Sequence, residues 1–251
     1  MFNLNHNTMR KFFVLMLLCA TMAGLVSCQK EETGIKINQR AYTLYSDDVG
    51  TIDAIGLPDD AIWSSENEWV ATAEGKNISS GKVGTTTLSF DGHSISATIK
   101  PRYSLYTEPD MSWGCSANSI ISKYGQPFSK TDEVLLYESN NPAAPYTMYM
   151  FDETGLSSCA TLVKFSYGEK LVDFLGERYV FFSVDTENYT ADFAHCYGTK
   201  QDPQIDIVGQ MAFSSSIGGI LVMYIPNTSN RTRSIEMVDY IDIMKKMLND
   251  N

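Results

Sequence analysis

The chain has 251 residues, 43% of them apolar, with 30 acidic against 19 basic side chains and a formal charge of −11. That length is enough for one or two domains with their own cores. The acidity argues against nucleic acid as a partner, because affinity for phosphate backbones depends on Lys and Arg displacing counterions.

Arg10 and Lys11 precede the apolar run Phe12 to Val26, which is short and rich in small residues towards its end. This is the layout of a secretory signal and not of a membrane span, which needs about 20 apolar residues. The run closes on Leu25-Val26-Ser27-Cys28. That tetrapeptide resembles the lipobox of bacterial lipoproteins, whose cysteine becomes the lipidated first residue. The resemblance implies that residues 1–27 are a signal peptide, that Cys28 carries acyl chains, and that 28–33 tether the chain to a membrane. Acyl burial contributes about 0.8 kcal/mol per CH₂, so two chains anchor firmly. Gln29-Lys30-Glu31-Glu32 resembles the Lys-acidic-acidic export tag of Bacteroidetes-type lipoproteins, which implies display on the outer face of the outer membrane. The same four residues also read as a plain solvated tether. Removing residues 1–27 takes away Arg10 and Lys11 and no acid, moving the formal charge from −11 to −13.

Residues 34–101 read as many short strands separated by turns. Alternation is clear from Thr85 to Phe90 and from Ser94 to Ile99, joined by Asp91-Gly92, a two-residue hairpin turn whose central positions tolerate positive φ. Nothing here has helical period, so an all-β sandwich is expected. The pattern Trp63-Ser64-Ser65 with Asn67, then Val70-Ala71-Thr72, then Gly81, Gly84-Thr85 and Leu88, resembles the group 2 bacterial immunoglobulin-like domain. That resemblance implies a surface spacer or adhesion module without a catalytic site. Trp63 is expected in the core between the sheets. Trp69 reads either as an exposed anchor or as packing at a strand start. Asp47-Asp48 and Asp59-Asp60 lie in loops and lack the ligand ladder of a calcium site.

Pro101 and Arg102 read as a linker, and from there to residue 251 helices and strands mix, an α+β pattern with helices on an antiparallel sheet. Ala117 to Tyr124 is expected to be a helix stopped by Gly125 with Pro127 beyond. Strands follow at Glu133–Ser139 and across Tyr146–Gly168, the latter folded at Asp152-Glu153-Thr154-Gly155. Lys170 to Gly176 reads as a second helix. After Tyr179–Asp185 and a polar stretch comes a second hairpin around Gly218-Gly219. Residues 117–130 and 169–182 look like two openings of one unit about 55 residues apart. The arrangement resembles the tandem repeats of β-lactamase-inhibitor-protein and small outer-membrane lipoprotein folds, which Tyr124-Gly125-Gln126-Pro127 fits and Leu175-Gly176-Glu177-Arg178 does not. In those relatives the sheet binds other proteins. Ser234 to Leu248 reads as a last helix, N-capped by Ser234, with Ile235, Val238, Ile241, Met244 and Leu248 as its apolar stripe; it either docks on the sheet or serves a partner.

The case for an enzyme rests on Cys115, His195 and an acid such as Asp206, in the chain order of papain-like thiol hydrolases. A helix N-terminus would lower the Cys115 pKa. The flanking residues match no thiol-hydrolase signature, and an inert Cys115 packed beside Trp113 is the simpler expectation. Cys115, Cys159 and Cys196 allow at most one internal disulfide. His93 and His195 are too few and too isolated for zinc, and no cofactor is expected. Tyr103, Tyr106, Tyr137, Tyr146, Tyr149, Tyr167 and Tyr224 suit a sheet core or a contact face for protein or glycan. The expected function is that of an envelope lipoprotein binding a protein or glycan partner through its second domain. A thiol hydrolase and an accessory subunit of an outer-membrane assembly are the alternatives.

Overall fold

The computed structural model describes residues 34–227 and 237–249, so Cys28, the signal and tether readings and the Ser234 cap lie outside the described residues. The fold is β-rich with few helices. From Ile37 onwards the chain clusters as one compact unit.

The first half carries nine short strands: β1 (Lys36–Ile37), β2 (Ala41–Tyr45), β3 (Val49–Thr51), β4 (Ala54–Ile55), β5 (Ser64–Ser65), β6 (Ala71–Glu74), β7 (Asn77–Ser80), β8 (Gly84–Phe90) and β9 (His93–Lys100). One sheet runs β2-β9-β8-β5, with β2 parallel to β9, and another runs β3-β7-β6. Asp91 and Gly92 turn the β8–β9 hairpin with φ of 46° and 75°, as the sequence led one to expect. Ile95, Ala97 and Ile99 alternate inward from β9 and are buried, as are Ile52, Ile78 and Leu88. Trp63 is buried there too, its Nε1 donating to the Gly75 carbonyl at 3.1 Å.

The second half is α1 (Ala117–Tyr124), β10 (Ser129–Lys130), β11 (Val134–Glu138), β12 (Tyr146–Asp152), β13 (Gly155–Lys164), α2 (Gly168–Gly176), β14 (Val180–Asp185), β15 (Thr190–Gly198), β16 (Pro203–Ser214), β17 (Gly219–Pro226) and α3 (Met237–Asn249). Its eight strands form one sheet in the order β10-β11-β12-β13-β17-β16-β15-β14. Each helix of the pair α1 and α2 is thus followed by a four-strand antiparallel meander. The two meanders join at their last strands, where Cys159 pairs with Tyr224 and Lys164 with Gly219.

The two faces of this sheet bury different side chains. One packs Leu135, Tyr149, Cys159, Phe193, Val222 and Tyr224 against Ile120 of α1 and Leu171, Phe174 and Leu175 of α2. The other packs Leu136, Met148, Met150, Leu162, Leu221 and Met223 against Met237, Tyr240, Met244 and Met247 of α3. Of the expected α3 stripe, Met244 is buried and Ile241 and Leu248 pack against the same core, Val238 is instead 62% exposed, and Ile235 lies outside the described residues; Met237, Tyr240 and Met247 are buried as well. The buried stripe is wider than the spacing alone marked out, because the methionine floor of the sheet also takes in Met237, Tyr240 and Met247. The stretch read as polar is β15, whose Ala191 and Phe193 are buried. Gly209 sits opposite Phe193, and a Cβ there would come within 2.2 Å of its ring, so the glycine is what lets the aromatic lie flat across the sheet.

The connection at Pro101-Arg102 is held by the end of α2. Glu177, only 5% exposed, accepts the backbone N–H of Arg102 at 2.7 Å and of Tyr103 at 3.0 Å. Its own carbonyl accepts from Val83 N at 2.7 Å, and Lys82 Nζ reaches the Gly176 carbonyl at 2.6 Å. Arg102 in turn donates through Nε to the Ser46 carbonyl at 3.0 Å and pairs with Asp48.

Candidate functional site

Cys115 lies one residue before Ser116, the N-cap of α1, whose hydroxyl accepts from Ser119 N at 3.3 Å. The thiol therefore stands outside the first turn, and its backbone is engaged with β13: Leu156 N donates to the Cys115 carbonyl at 2.8 Å and Gly114 N to Leu156 at 2.9 Å. Burial pushes the Cys115 pKa up and the nearby Asp110 carboxylate adds to this, outweighing Lys123, which acts the other way. That direction runs against the acidified thiol on which the enzyme reading depends and with the simpler expectation of an inert one. Cys159, fully buried in the sheet, is raised further by desolvation. Cys115, Cys159 and Cys196 are all free thiols.

His195 and Asp206 do come together, Nδ1 to Oδ1 at 2.7 Å, because β15 and β16 are paired and a bulge at His195/Cys196 turns the two side chains to each other. Cys115 is not part of that pair. It is tied to the start of β13, whereas His195 is on β15, with β17 and β16 between them in the sheet. That is three inter-strand steps of about 4.8 Å each. Among the described residues no hydrogen bond joins them, so a proton cannot pass directly from this thiol to this imidazole.

Around His195 the same face carries a phenolic cluster. The Tyr179 ring contacts His195 at 6.2 Å and its hydroxyl donates to Glu108 Oε1 at 2.5 Å. Tyr106 and Tyr224 share a hydroxyl–hydroxyl bond of 2.5 Å, and the Tyr179 and Tyr224 rings lie 5.8 Å apart. Arg178 stacks its guanidinium over Phe174 at 3.8 Å and approaches Glu108 at 3.7 Å. Desolvation raises Tyr106, Tyr179 and Tyr224, so all three phenols stay protonated; Tyr106 and Tyr224 satisfy each other and Glu108 satisfies Tyr179. Such a cluster fixes packing geometry.

The open site is on the opposite face. A groove of about 830 Å³ lies between α3 and the edge of the sheet, lined by Phe182 of β14, Asp192 of β15, Val208 and Gln210 of β16, Ile225 of β17, and Ile241 of α3. Gln210 Nε2 donates to Asp192 Oδ1 at 2.7 Å across β15 and β16, which leaves the other carboxylate oxygen and the amide oxygen as acceptors. Phe182, on the outermost strand, is 63% exposed, and Val238 of α3 closes the far wall. The sequence reading missed this site because its residues come from four strands and a helix.

The remaining candidates resolve simply. Asp48 pairs with Arg102, and among the described residues no group of three His, Cys, Asp or Glu side chains is arranged to hold a metal. Trp69 is half-buried, with Lys200 Nζ 6.0 Å from its ring. Among the described residues no helix is long and apolar enough to cross a membrane.

No protein-family model matches the chain, and none of the curated proteins is similar to it. Among solved structures it is similar to an extracellular protein containing an SCP domain from Bacillus anthracis, with 12% identity, a TM-score of 0.22, and 49% of this chain covered. The chain spans about half the length of that protein (48%).

Proposed function

We propose that this chain is an envelope lipoprotein, anchored through Cys28 at the outer membrane surface, that binds a partner through its second half. In this reading residues 34–101 are an Ig-like spacer and 102–251 an α+β binding domain built from a duplicated helix-and-meander unit. The duplication reading is supported by the order of the eight strands, which places two meanders back to back. The observation that carries the binding role is the groove of about 830 Å³ beside α3, within the size range of ligand sites. A hydrolase is disfavoured by the raised Cys115 thiol and by its separation from His195 across β17 and β16.

Protease shaving of intact cells tests the display. Cleavage within 34–251 under conditions that spare periplasmic proteins is the expected result. Survival of this segment while other surface proteins are cut would overturn outward display. A photoreactive p-benzoylphenylalanine in place of Phe182, irradiated in cells, tests the binding face: a discrete adduct is expected, and none would count against it.

A further inference from the structure

Resting on that binding role, we infer that the groove receives an amphipathic α-helix of a partner protein, laid beside α3, with a lysine or arginine directed at Asp192. The layering of the second half leads to this. Among the described residues, one face of the sheet carries two helices, α1 and α2, and the other carries α3. α3 lies over β16, and from there to β14 two inter-strand steps of about 4.8 Å leave a strip about 10 Å wide, the spacing at which two helices pack side by side.

The strip continues an interface already made for a helix. Met223 and Met237 belong both to the α3 packing and to the groove, and Ile241 and Val238 project from α3 into it. The floor beneath α3 and α3 itself are rich in methionine: Met148, Met150, Met223, Met237, Met244 and Met247. Unbranched thioethers repack at little cost, which suits a surface that must accept a second helix against the first. Helices packed side by side lie about 8–10 Å apart, so the newcomer's apolar stripe would fall on Phe182, Val208 and Ile241.

Charge selects the other half of the recognition. Asp192 is the one acidic or basic side chain among the described residues lining the groove, in a chain of formal charge −11. Its Gln210 partner uses one oxygen and presents a second acceptor alongside, a pair matched to an ammonium or a guanidinium. A helix with acidic margins would meet repulsion here.

The test uses the full chain carrying Cys28→Ser and two fluorescein-labelled synthetic peptides of about 14 residues, long enough for helix formation on binding. Both share one leucine stripe at helical spacing; one has lysines beside the stripe, the other glutamates. Saturable binding of the lysine peptide by anisotropy, with helical circular dichroism gained on binding, is expected, and the glutamate peptide should bind at least about tenfold more weakly. Asp192→Asn should weaken the lysine peptide about fivefold or more, as should Phe182→Ser, whose parent side chain is exposed enough to leave folding intact. Equal binding of the two peptides, or indifference to both substitutions, overturns the inference. So does a bound peptide that stays extended, sensitivity of self-association to Phe182→Ser in sedimentation, or a glycan that occupies the groove in their place. If the photoreactive residue at position 182 traps an envelope protein while neither peptide binds, the helix is wrong and the binding role stands; if both experiments are blank, both readings fall.

Discussion

Glu177 Oε1 accepts the backbone N–H of Arg102 at 2.7 Å, so a carboxylate at the end of α2 holds the point where the chain leaves its first half. Its second oxygen takes the Tyr103 N–H at 3.0 Å, and the group is 5% exposed. Glu177→Ala removes both acceptors and leaves two backbone donors unpaired, at about 1–3 kcal/mol each. A loss of about 2–6 kcal/mol in urea unfolding is expected, with Glu177→Gln milder because one acceptor oxygen remains. If both variants unfold within about 0.5 kcal/mol of the parent, this carboxylate does not hold the connection.

The three thiols should differ in reactivity for reasons visible in their surroundings. Cys115 is raised by burial and by Asp110, so less of it is thiolate at a given pH than in a free cysteine, and alkylation should be slow near neutrality. His195→Ala should leave that rate unchanged. Cys159, fully buried, should react only on unfolding. Peptide mapping after timed alkylation reads all three, and a Cys115 that reacts faster than a free thiol and slows when His195 is removed would restore the hydrolase.

How far the sequence foretold this molecule depends on how local the signal is. Asp91-Gly92, the Gly125 stop and the Asp152 to Gly155 turn were legible because each is decided within a few residues; Asp152 Oδ1, for instance, takes Thr154 N at 2.8 Å. β15 was not, because Asp192 and His195 interrupt its apolar residues, and their partners Gln210 and Asp206 lie on the neighbouring strand. The α3 face was read correctly at Ile241, Met244 and Leu248 and misplaced at Val238, whose neighbour Met237 is the one that faces the sheet, a choice only the floor beneath decides. The proposed site was out of reach for the same reason: Phe182, Asp192, Gln210, Ile225 and Ile241 meet through strand register.

Alkali should unfold the chain in a single sharp step. Tyr106, Tyr149, Tyr179 and Tyr224 are all raised above their ordinary value of 10.0, chiefly by burial. The folded state therefore holds protons that the unfolded state releases once pH passes about 10, and stability, fully present below that pH, falls as pH rises. Each group contributes about 1.4 kcal/mol per pH unit. Four together exhaust a marginal stability of about 5–15 kcal/mol within a few units. Tyrosinate absorbance should appear together with the loss of circular dichroism. Gradual ionisation of these phenols in a chain that stays folded would contradict it.

Gly155 is the tightest backbone approach near Cys115. Its φ is +108°, and a Cβ would meet the Gly114 carbonyl oxygen at 2.2 Å and the Cys115 carbonyl oxygen at 2.8 Å. Both are main-chain atoms, so Gly155→Ala should cost at least about 2 kcal/mol in a thermal or urea melt. It should also loosen the segment before α1 and speed Cys115 alkylation. An unchanged melt would show that this segment yields freely.

The pairing of β13 with β17 makes the order of synthesis matter. Cys159 waits for Tyr224, and Lys164 for Gly219, so the first meander emerges with the long edge of β13 open until the last strand of the second has been made. That edge runs through Ala160, Leu162 and Val163, apolar backbone ready to pair with any extended chain nearby. A nascent or truncated form of this protein is therefore most adhesive in its middle, and a chain cut short before β17 should be found in aggregates or with a chaperone.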